Sequence, residues 1–327
     1  MPLGILQVGG HAPADVVSNE RIAEWSDTTP DWVAERTGIL ERRYADARTT
    51  TSDLAAHAVR QIFEEAPEAL ERIGGIIVAT CTPDVPQPAT AAIVQHKLGL
   101  RDILAFDVNA VCSGFLYGLT LADGLLSRTA QQDQLLLVGA DKFSTIMDRS
   151  DRRTVSLFGD GAGAVLLGRV PDGYGLLAAR LVSNGELHHY VGVEAGGTRT
   201  PLDEAALAAG DNLLRMDGRA VKDYALSTMR KLVEQVLDDC GLAVDDIDRF
   251  VFHQANTRLL EFFAADLGVD PDRVPLTAPY LGNTAAGSIP LTLRATADAR
   301  PMERGENILL AAVGGGMTAA AAVLRWY

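Results

Sequence analysis

Short apolar runs rich in β-branched residues alternate with longer segments of helical periodicity along this chain. In the first half the runs lie at residues 74–79, 103–106, 135–139 and 164–167. Turn-forming residues bound each run, which is typical of strands buried in a sheet. The pattern predicts alternating β and α units and therefore an α/β fold.

The second half repeats this series in the same order. Its apolar runs lie at residues 250–252, 274–276, 308–311 and 321–324. Each half also ends with a glycine-rich turn that leads into an alanine-rich strand. The repetition predicts two copies of one α/β unit, with the halves at residues 1–172 and 173–327.

Two longer segments stand outside the repeated series. In residues 221–240 the apolar side chains fall on one face, and Gly241 supplies a stop signal, so this segment is expected to be an amphipathic helix. Residues 182–214 contain several glycines and little periodicity. That composition predicts an irregular excursion at the surface.

The charge balance excludes one class of partner. The chain has 327 residues, with 43 acidic and 29 basic side chains and a formal net charge of −14. A nucleic-acid binder needs a basic surface that displaces counterions from phosphates, so nucleic acid is not expected as a partner. At about 150 residues per domain, the length fits two domains or one large duplicated unit.

The N-terminus and the cysteines bear on location and chemistry. The first residues lack the basic segment and the long apolar core of a signal peptide. No apolar stretch reaches the roughly 18 residues of a membrane helix, so a cytoplasmic protein without a membrane partner is expected. Cys81, Cys112 and Cys240 are odd in number and widely spaced, which predicts reduced thiols and no metal site.

Cys112 is the first candidate for chemistry. It lies between the strand-like run 103–106 and a helix-like segment that begins at Phe115. A thiol at a helix N-terminus is stabilised as thiolate by the helix dipole and by unpaired N–H groups, which predicts a lowered pKa and a nucleophile. The alternative is a buried cysteine that acts only as a small apolar side chain.

His253 and Asn283 are the second and third candidates. His253 ends the run that mirrors residues 74–79, and Asn283 lies in a turn that corresponds to the Cys112 turn. A structural histidine and a turn asparagine are the alternatives for each residue alone. Because catalytic groups gather at the carboxyl ends of strands, the three side chains are expected to converge near the axis between the halves. A thiol, an imidazole and an amide donor beside a glycine-rich turn point to acyl transfer through a thioester.

The motifs that contain these residues resemble those of the ketoacyl-carrier-protein synthase III enzymes of the thiolase-like superfamily. The resemblance runs nearly from end to end, and its combination of motifs is highly specific. The matching segments are residues 30–33, 36–39, 41–43, 106–108, 112–115, 157–163, 253–256, 282–284 and 314–316.

The resemblance implies a layered α-β-α-β-α architecture and an acyltransferase that needs no bound cofactor. Cys112 would take an acyl group from a coenzyme A thioester, and the N–H groups of Cys112 and Gly315 would form an oxyanion hole. His253 and Asn283 would bind the carbonyl of a malonyl thioester as carbon dioxide leaves. This decarboxylative condensation starts fatty acid or polyketide synthesis.

The resemblance also implies binding residues and partners. Trp32 and Arg152 match positions that hold the adenine of coenzyme A, and Arg36 lies in the same motif region. The family acts as a homodimer and docks an acidic acyl carrier protein, for which Arg258 is retained. The basic pair expected on this docking face is replaced by Ala265 and Asp266, and a further lysine by Asp223, although Lys222 is adjacent to it.

Three residues are expected around the acyl pocket: Cys81, Gln87 and Val313. Gln87, reached from the partner subunit, replaces a common apolar residue, which predicts a primer other than acetyl. Val313 replaces a phenylalanine that favours decarboxylation. A synthase III-like acyltransferase that delivers the acyl group to a thiol, hydroxyl or amine without decarboxylation is therefore the alternative.

Two further classes are disfavoured. A thiolase would need a second cysteine near the C-terminal glycines, and no cysteine follows Cys240. A non-enzymatic subunit of a heteromeric synthase would usually have lost the nucleophile, whereas Cys112, His253 and Asn283 are all present.

Overall fold

A computed structural model describes residues 1–128 and 133–327 of the chain. Its strands are β1 (Leu3–His11), β2 (Asp15–Ser18), β3 (Glu41–Tyr44), β4 (Ile73–Ala79), β5 (Leu104–Val108), β6 (Gln134–Lys142), β7 (Asp160–Arg169), β8 (Gly175–Ser183), β9 (Val191–Gly192), β10 (Arg215–Met216), β11 (Arg249–Phe252), β12 (Asn307–Gly314) and β13 (Thr318–Arg325). Its helices are α1 (Asn19–Trp25), α2 (Pro30–Thr37), α3 (Thr51–Glu65), α4 (Thr90–Lys97), α5 (Gly114–Arg128), α6 (Arg152–Val155), α7 (Glu204–Ala209), α8 (Gly218–Cys240), α9 (Thr257–Asp266), α10 (Ala278–Leu281) and α11 (Ser288–Ala299).

Two mixed sheets share one topology. Within the described residues, the first sheet has the order β1-β7-β6-β4-β5 and the second the order β8-β13-β12-β11. In the first sheet β1 and β6 pair antiparallel with β7, and β6 pairs parallel with β4. In the second sheet β8 and β12 pair antiparallel with β13, and β12 pairs parallel with β11. This repeated topology confirms the duplicated α/β unit.

One predicted strand is wrong. Residues 274–276 form no strand, although the equivalent β5 lies at the edge of the first sheet. The backbone here bonds instead to the buried side chain of Gln254, which donates to the Pro275 carbonyl at 3.2 Å and accepts from the N–H of Thr277 at 2.8 Å. Pro275 also lacks an N–H for a ladder. A side chain therefore replaces the strand pairing.

Three apolar clusters fill the spaces between five layers. Helices α3 and α4 cover the outer face of the first sheet, and α8 and α9 cover the outer face of the second. Helices α5 and α11 lie between the two sheets in a shared core. This arrangement confirms the α-β-α-β-α architecture. It also brings the N-termini of α5 and α11 together from different halves.

The two segments outside the repeat differ in outcome. The predicted amphipathic helix is confirmed as α8, which begins where the Asp217 side chain accepts a hydrogen bond from the N–H of Ala220 and ends before Gly241 at a φ of +64°. The predicted surface excursion is only partly irregular. It contains α7 and strand β9, which pairs with β10 directly after the excursion, and its last residue, Leu214, is buried. No helix in the described part of the chain is long and apolar enough to span a membrane.

Candidate active site

Cys112 lies on a strained turn between β5 and α5. The side-chain oxygen of Asn109 accepts a hydrogen bond from the N–H of Val111 at 3.2 Å, and Val111 has a φ of +48°. A β-branched residue adopts such a conformation only where its surroundings enforce it. A short 3₁₀ turn over residues 111–113 then places Cys112 two residues before Gly114, the first residue of α5, with its side chain buried.

Asn283 lies on the equivalent turn of the second half. Its side-chain oxygen accepts a hydrogen bond from the N–H of Ala285 at 2.9 Å, and Ala285 also has a φ of +48°. The backbone of Asn283 is fixed to the first half, since its N–H donates to the Leu157 carbonyl at 2.8 Å and its carbonyl accepts from Gly159 at 2.9 Å. Because its oxygen is occupied, the Asn283 Nδ2 group is the one left to donate into the site.

His253 follows β11 directly. Its backbone N–H donates to the Ala311 carbonyl at 2.8 Å, which continues the parallel ladder by one residue. Burial lowers the pKa of the His253 imidazole to about 4. No residue in the described ranges offers a hydrogen bond to its buried Nδ1 atom. His253 is therefore a neutral imidazole at pH 7, with one N–H to donate.

One cavity of about 1180 Å³ is lined by Cys112, His253 and Asn283 together. Gly315 and Val313 line it as well. The nucleophile comes from the first half, and the other four residues come from the second. The cavity thus contains every side chain of the predicted catalytic set and the glycine predicted for the oxyanion hole.

The predicted direction of the Cys112 pKa is wrong. Burial raises the pKa of the thiol above its usual value, and the negative charge of Asp141 raises it further. A backbone hydrogen bond to the sulfur acts in the opposite direction, but burial outweighs it. The resting site therefore holds a protonated thiol beside a neutral imidazole, not a thiolate–imidazolium pair.

The glycine turn between β12 and β13 packs directly on the nucleophile. A Cβ atom on Gly314 would lie 2.9 Å from the Cys112 nitrogen and 2.6 Å from the Ala110 oxygen, so no side chain fits there. The Thr318 hydroxyl joins the two turns, because it lies 2.7 Å from the Ser113 hydroxyl and donates to the Ala110 carbonyl at 3.0 Å. These contacts fix the N–H groups of Cys112 and Gly315 relative to each other.

Asp141 is a buried charge that the sequence reading missed. It is the second-last residue of β6, and one carboxylate oxygen accepts hydrogen bonds from Thr80, Cys81 and Thr82 at 2.8 to 3.1 Å. The other oxygen accepts the N–H of Ala286 at 3.0 Å, in the turn that carries Asn283. The sequence does contain a signal for this site, because the charged Asp141 directly follows the uninterrupted apolar run 135–140.

Aromatic and aliphatic side chains close the cavity beside the thiol. Phe143 and Phe158 are stacked with ring centroids 4.5 Å apart, and both pack in one cluster with Cys112 and Leu214. The aromatic pair was also missed, because its members are far from Cys112 in the sequence. Of the residues predicted for the acyl pocket, Val313 lines the cavity and Cys81 packs against this cluster.

Gln87 lies elsewhere. It is exposed in the loop before α4 and does not line the cavity of its own chain. The predicted contact from a partner subunit thus remains a prediction.

The mouth of the cavity is basic although the chain is acidic. Of the residues predicted to bind coenzyme A or the carrier protein, Trp32, Arg36 and Arg258 line the cavity. The Arg152 guanidinium lies over the Trp32 ring, 4.9 Å from its centroid. The sequence reading did not assign the other cations that line the cavity, which are Arg153, Arg215, Arg219 and Lys222. Asp217 is the one carboxylate among the described lining residues.

Comparisons with known proteins agree with this architecture. The family model of 3-oxoacyl-[acyl-carrier-protein] synthase III matches residues 106–185, and the model of the C-terminal part of the same family matches residues 237–326. A crystal structure of 3-oxoacyl-[acyl-carrier-protein] synthase III from Aquifex aeolicus superposes with a TM-score of 0.90 at 34% identity, covering 99% of this chain and 100% of that one.

Relatives match this chain over nearly its whole length, as two of them illustrate. The β-ketoacyl-[acyl-carrier-protein] synthase III of Caldanaerobacter subterraneus is 39% identical, over 99% of this chain and 97% of its own. An acetoacetyl-CoA synthase from a Streptomyces species is 40% identical, over 98% of both chains. With the shared fold and the matched family models, the chain belongs to the 3-oxoacyl-[acyl-carrier-protein] synthase III family.

Proposed function

We propose that the protein is a condensing enzyme that loads an acyl primer on Cys112 and joins it to a malonyl unit with loss of carbon dioxide. The observation that carries this proposal is the single cavity in which the Cys112 thiol faces two neutral donors from the other half, His253 and Asn283. The family membership and the names of the relatives support the same reaction.

The first half-reaction is acyl transfer from coenzyme A. The Cys112 sulfur attacks the thioester carbonyl, the carbon–sulfur bond to coenzyme A breaks, and the thiol proton ends on the departing coenzyme A. The N–H groups of Cys112 and Gly315 stabilise the tetrahedral oxyanion, because fixed donors need no reorganisation when the charge develops. Burial raises the pKa of Cys112, so the thiol is protonated at rest and its proton has to leave the sulfur in the course of this half-reaction.

The second half-reaction is decarboxylation and condensation. The neutral His253 and the Nδ2 group of Asn283 donate to the thioester carbonyl of the malonyl substrate. The bond to its carboxylate breaks, carbon dioxide leaves, and the two donors stabilise the enolate. The enolate carbon attacks the acyl group on Cys112, and the released sulfur takes up a proton.

The alternative of acyl transfer without decarboxylation has less support. A transfer to an amine or hydroxyl needs a base for the incoming nucleophile, whereas the pKa of about 4 makes His253 a weak base. Val313 and Met317 are both buried beside the cavity, so apolar side chains exclude water there even without the phenylalanine common in the family. The prediction that Val313 weakens decarboxylation stays open to measurement.

We also propose a homodimer. β5 is an edge strand that pairs on one side with β4, yet all its residues are half-buried. An unpaired and partly apolar edge is suited to pairing with a second copy, and Gln87 would then reach the partner's acyl pocket. Sedimentation velocity tests the dimer. The predicted cytoplasmic location remains a prediction.

The reaction is tested by intact mass. The protein is exposed to a panel of acyl-coenzyme A thioesters, the adduct on Cys112 is measured, and a malonyl thioester is then added. Loss of the adduct with one carbon dioxide per β-keto product is expected. Cys112→Ser should show no thioester adduct, and Cys240→Ser, at a helix end away from the cavity, is the matched control. Discharge of the adduct by an amine or alcohol, with the malonyl thioester inert, would establish the alternative.

A further inference from the structure

Arg42 in β3 is a fully buried cation that the proposed reaction does not use. Its guanidinium donates to three neutral oxygens. The Nη1 group donates to the Val17 carbonyl at 3.1 Å and to the side-chain oxygen of Asn19 at 2.9 Å, and the Nη2 group donates to the Ser156 carbonyl at 2.8 Å. Burial lowers the pKa of Arg42 to about 10, so the side chain stays protonated at pH 7.

The Ser156 carbonyl belongs to residues 156–159, a segment whose first three residues line the cavity. This segment also carries the backbone partners of the proposed amide donor. The Leu157 carbonyl accepts the N–H of Asn283 at 2.8 Å, and the N–H of Gly159 donates to the Asn283 carbonyl at 2.9 Å. Segment 156–159 therefore connects the Arg42 guanidinium to the backbone of Asn283.

The aliphatic stem of Arg42 packs at the same place. A Cβ atom on Gly282 would lie 2.9 Å from the Cβ of Arg42, and one on Gly159 would lie 3.2 Å from it. Gly282 has a φ of +67° and directly precedes Asn283. Arg42 thus contacts the backbone on both sides of the short bridge between Phe158 and Asn283.

These contacts give the buried cation a role in the second half-reaction. We infer that Arg42 is a positioning residue for the Asn283 donor. Its hydrogen bond to the Ser156 carbonyl is charge-assisted and therefore stronger than a bond between neutral groups. It fixes the segment to which Asn283 is bonded, and this holds the amide in the cavity. The inference rests on the proposed condensation.

Packing alone does not account for an arginine at this place. Desolvation of a cation costs free energy unless an opposite charge compensates it. In the described part of the chain no carboxylate forms a salt bridge with Arg42, and the neighbouring Glu41 is paired with Arg43 at 2.9 Å. An apolar side chain would fill the same volume without this cost, but it could not bond to the Ser156 carbonyl.

The first test separates the two half-reactions. Arg42→Met keeps a stem against the two glycines and removes the three hydrogen bonds. Condensation on the enzyme already acylated at Cys112 should become about tenfold to a hundredfold slower, the effect of a small misplacement near a reacting group. Acylation of Cys112 should stay close to the wild-type rate, because Thr318 bonds to the turn that carries Cys112. Equal losses in the two half-reactions would overturn the inference.

Two further variants separate positioning from general loosening. Arg42→Lys keeps the charge and part of the bonding, so it should recover part of the lost condensation, and it keeps the test valid if the methionine variant unfolds. Arg249 supplies the matched control, since it is also buried but pairs with Glu306 at 2.8 Å and is not among the described residues that line the cavity. Arg249→Lys should leave condensation by the folded protein unchanged. Comparable losses in the two lysine variants would assign the effect to loosened packing.

A double-mutant cycle tests whether Arg42 acts through Asn283. Asn283→Asp keeps the side-chain oxygen of the turn and removes the amide donor. Arg42→Met should slow condensation little further in this variant, because the group that Arg42 positions is already lost. Additive losses would contradict the inference. Release of labelled carbon dioxide measures all four proteins. If the wild type releases none from a malonyl thioester, the proposed condensation itself fails, whereas equal rates in the wild type and Arg42→Met would refute only the role of Arg42.

Discussion

Asn109 and Asn283 occupy equivalent positions in the two halves, and each accepts through its side-chain oxygen the N–H of the residue two positions later. In both turns that later residue has a φ of +48° and begins a 3₁₀ turn before a central helix. The halves differ in which residue meets the cavity. In the first turn Asn109 is exposed and Cys112 lines the cavity, whereas in the second Asn283 itself lines it. One backbone geometry thus supplies both the nucleophile and the amide donor.

Asn283→Asp tests the donor separately from the turn. The carboxylate keeps an oxygen for the Ala285 N–H but replaces the Nδ2 donor with an acceptor. Condensation should fall by about a hundredfold to a thousandfold, the usual loss for one oxyanion donor, and acylation of Cys112 should continue. Asn109→Asp makes the same change on the equivalent turn and should leave both steps intact. Intact mass measures the burst of acylation on Cys112, and release of carbon dioxide measures condensation. Equal losses in the two variants would mean that the turn and not the donor is affected.

Asp141→Asn tests the buried carboxylate that joins the halves. The amide oxygen of the variant can still accept the hydrogen bonds from Thr80, Cys81 and Thr82. Its NH₂ group would then face the Ala286 N–H, which is also a donor. Loss of that charged acceptor should lower the free energy of unfolding by about 1 to 3 kcal/mol and slow condensation through the Asn283 turn. Removing the charge should also lower the pKa of Cys112, since Asp141 raises it.

Alkylation of Cys112 by iodoacetamide as a function of pH measures that second effect. The curve of the variant should move to lower pH, a change that mere loosening of the turn does not produce. An unshifted curve would show that the Asp141 charge does not act on the thiol.

The sequence predicts those parts of the fold that depend on local pattern. Buried strands such as β6 and β12 read as apolar runs, and their repetition reveals the duplication. Residues 274–276 read as a strand for the same reason, but the backbone partner there is the Gln254 side chain, which no local pattern contains. Site residues on strand ends were found because topology brings strand ends together.

The electrostatics could not be predicted in the same way. The sign of the Cys112 pKa shift depends on burial and on Asp141, which lies on another strand. The position of Cys112 near a helix N-terminus had instead predicted a lowered pKa. Likewise, the cations Arg219 and Lys222 meet the mouth only because α8 begins there after the excursion folds back over the site.

The pKa of His253 predicts how stability depends on pH. Burial lowers this pKa from 6.5 to about 4, so between those values the unfolded chain binds a proton that the folded protein does not. The contribution of His253 to the free energy of unfolding is therefore fully present above pH 6.5. As the pH falls toward 4, this contribution decreases by about 3 kcal/mol. Denaturant unfolding of the wild type and of His253→Gln from pH 7 to pH 4.5 isolates the effect, because other groups titrate equally in both. Parallel curves for the two proteins would contradict it.

Phe143 limits the space for the primer. Its ring is almost fully buried and stacked on Phe158 at 4.5 Å, in the cluster that contains Cys112. Shortening it should admit longer or branched acyl groups, so we expect Phe143→Leu to shift the acylation preference by one or two carbons and Phe143→Ala to shift it further. Truncation to alanine in a core costs about 3 to 5 kcal/mol, and the leucine variant keeps the test valid if the alanine variant unfolds. Intact mass after competition among acyl-coenzyme A thioesters measures the preference. Gln87→Ala is the comparison: if it broadens the preference while Phe143→Leu does not, the partner's loop and not the aromatic pair sets the length of the primer.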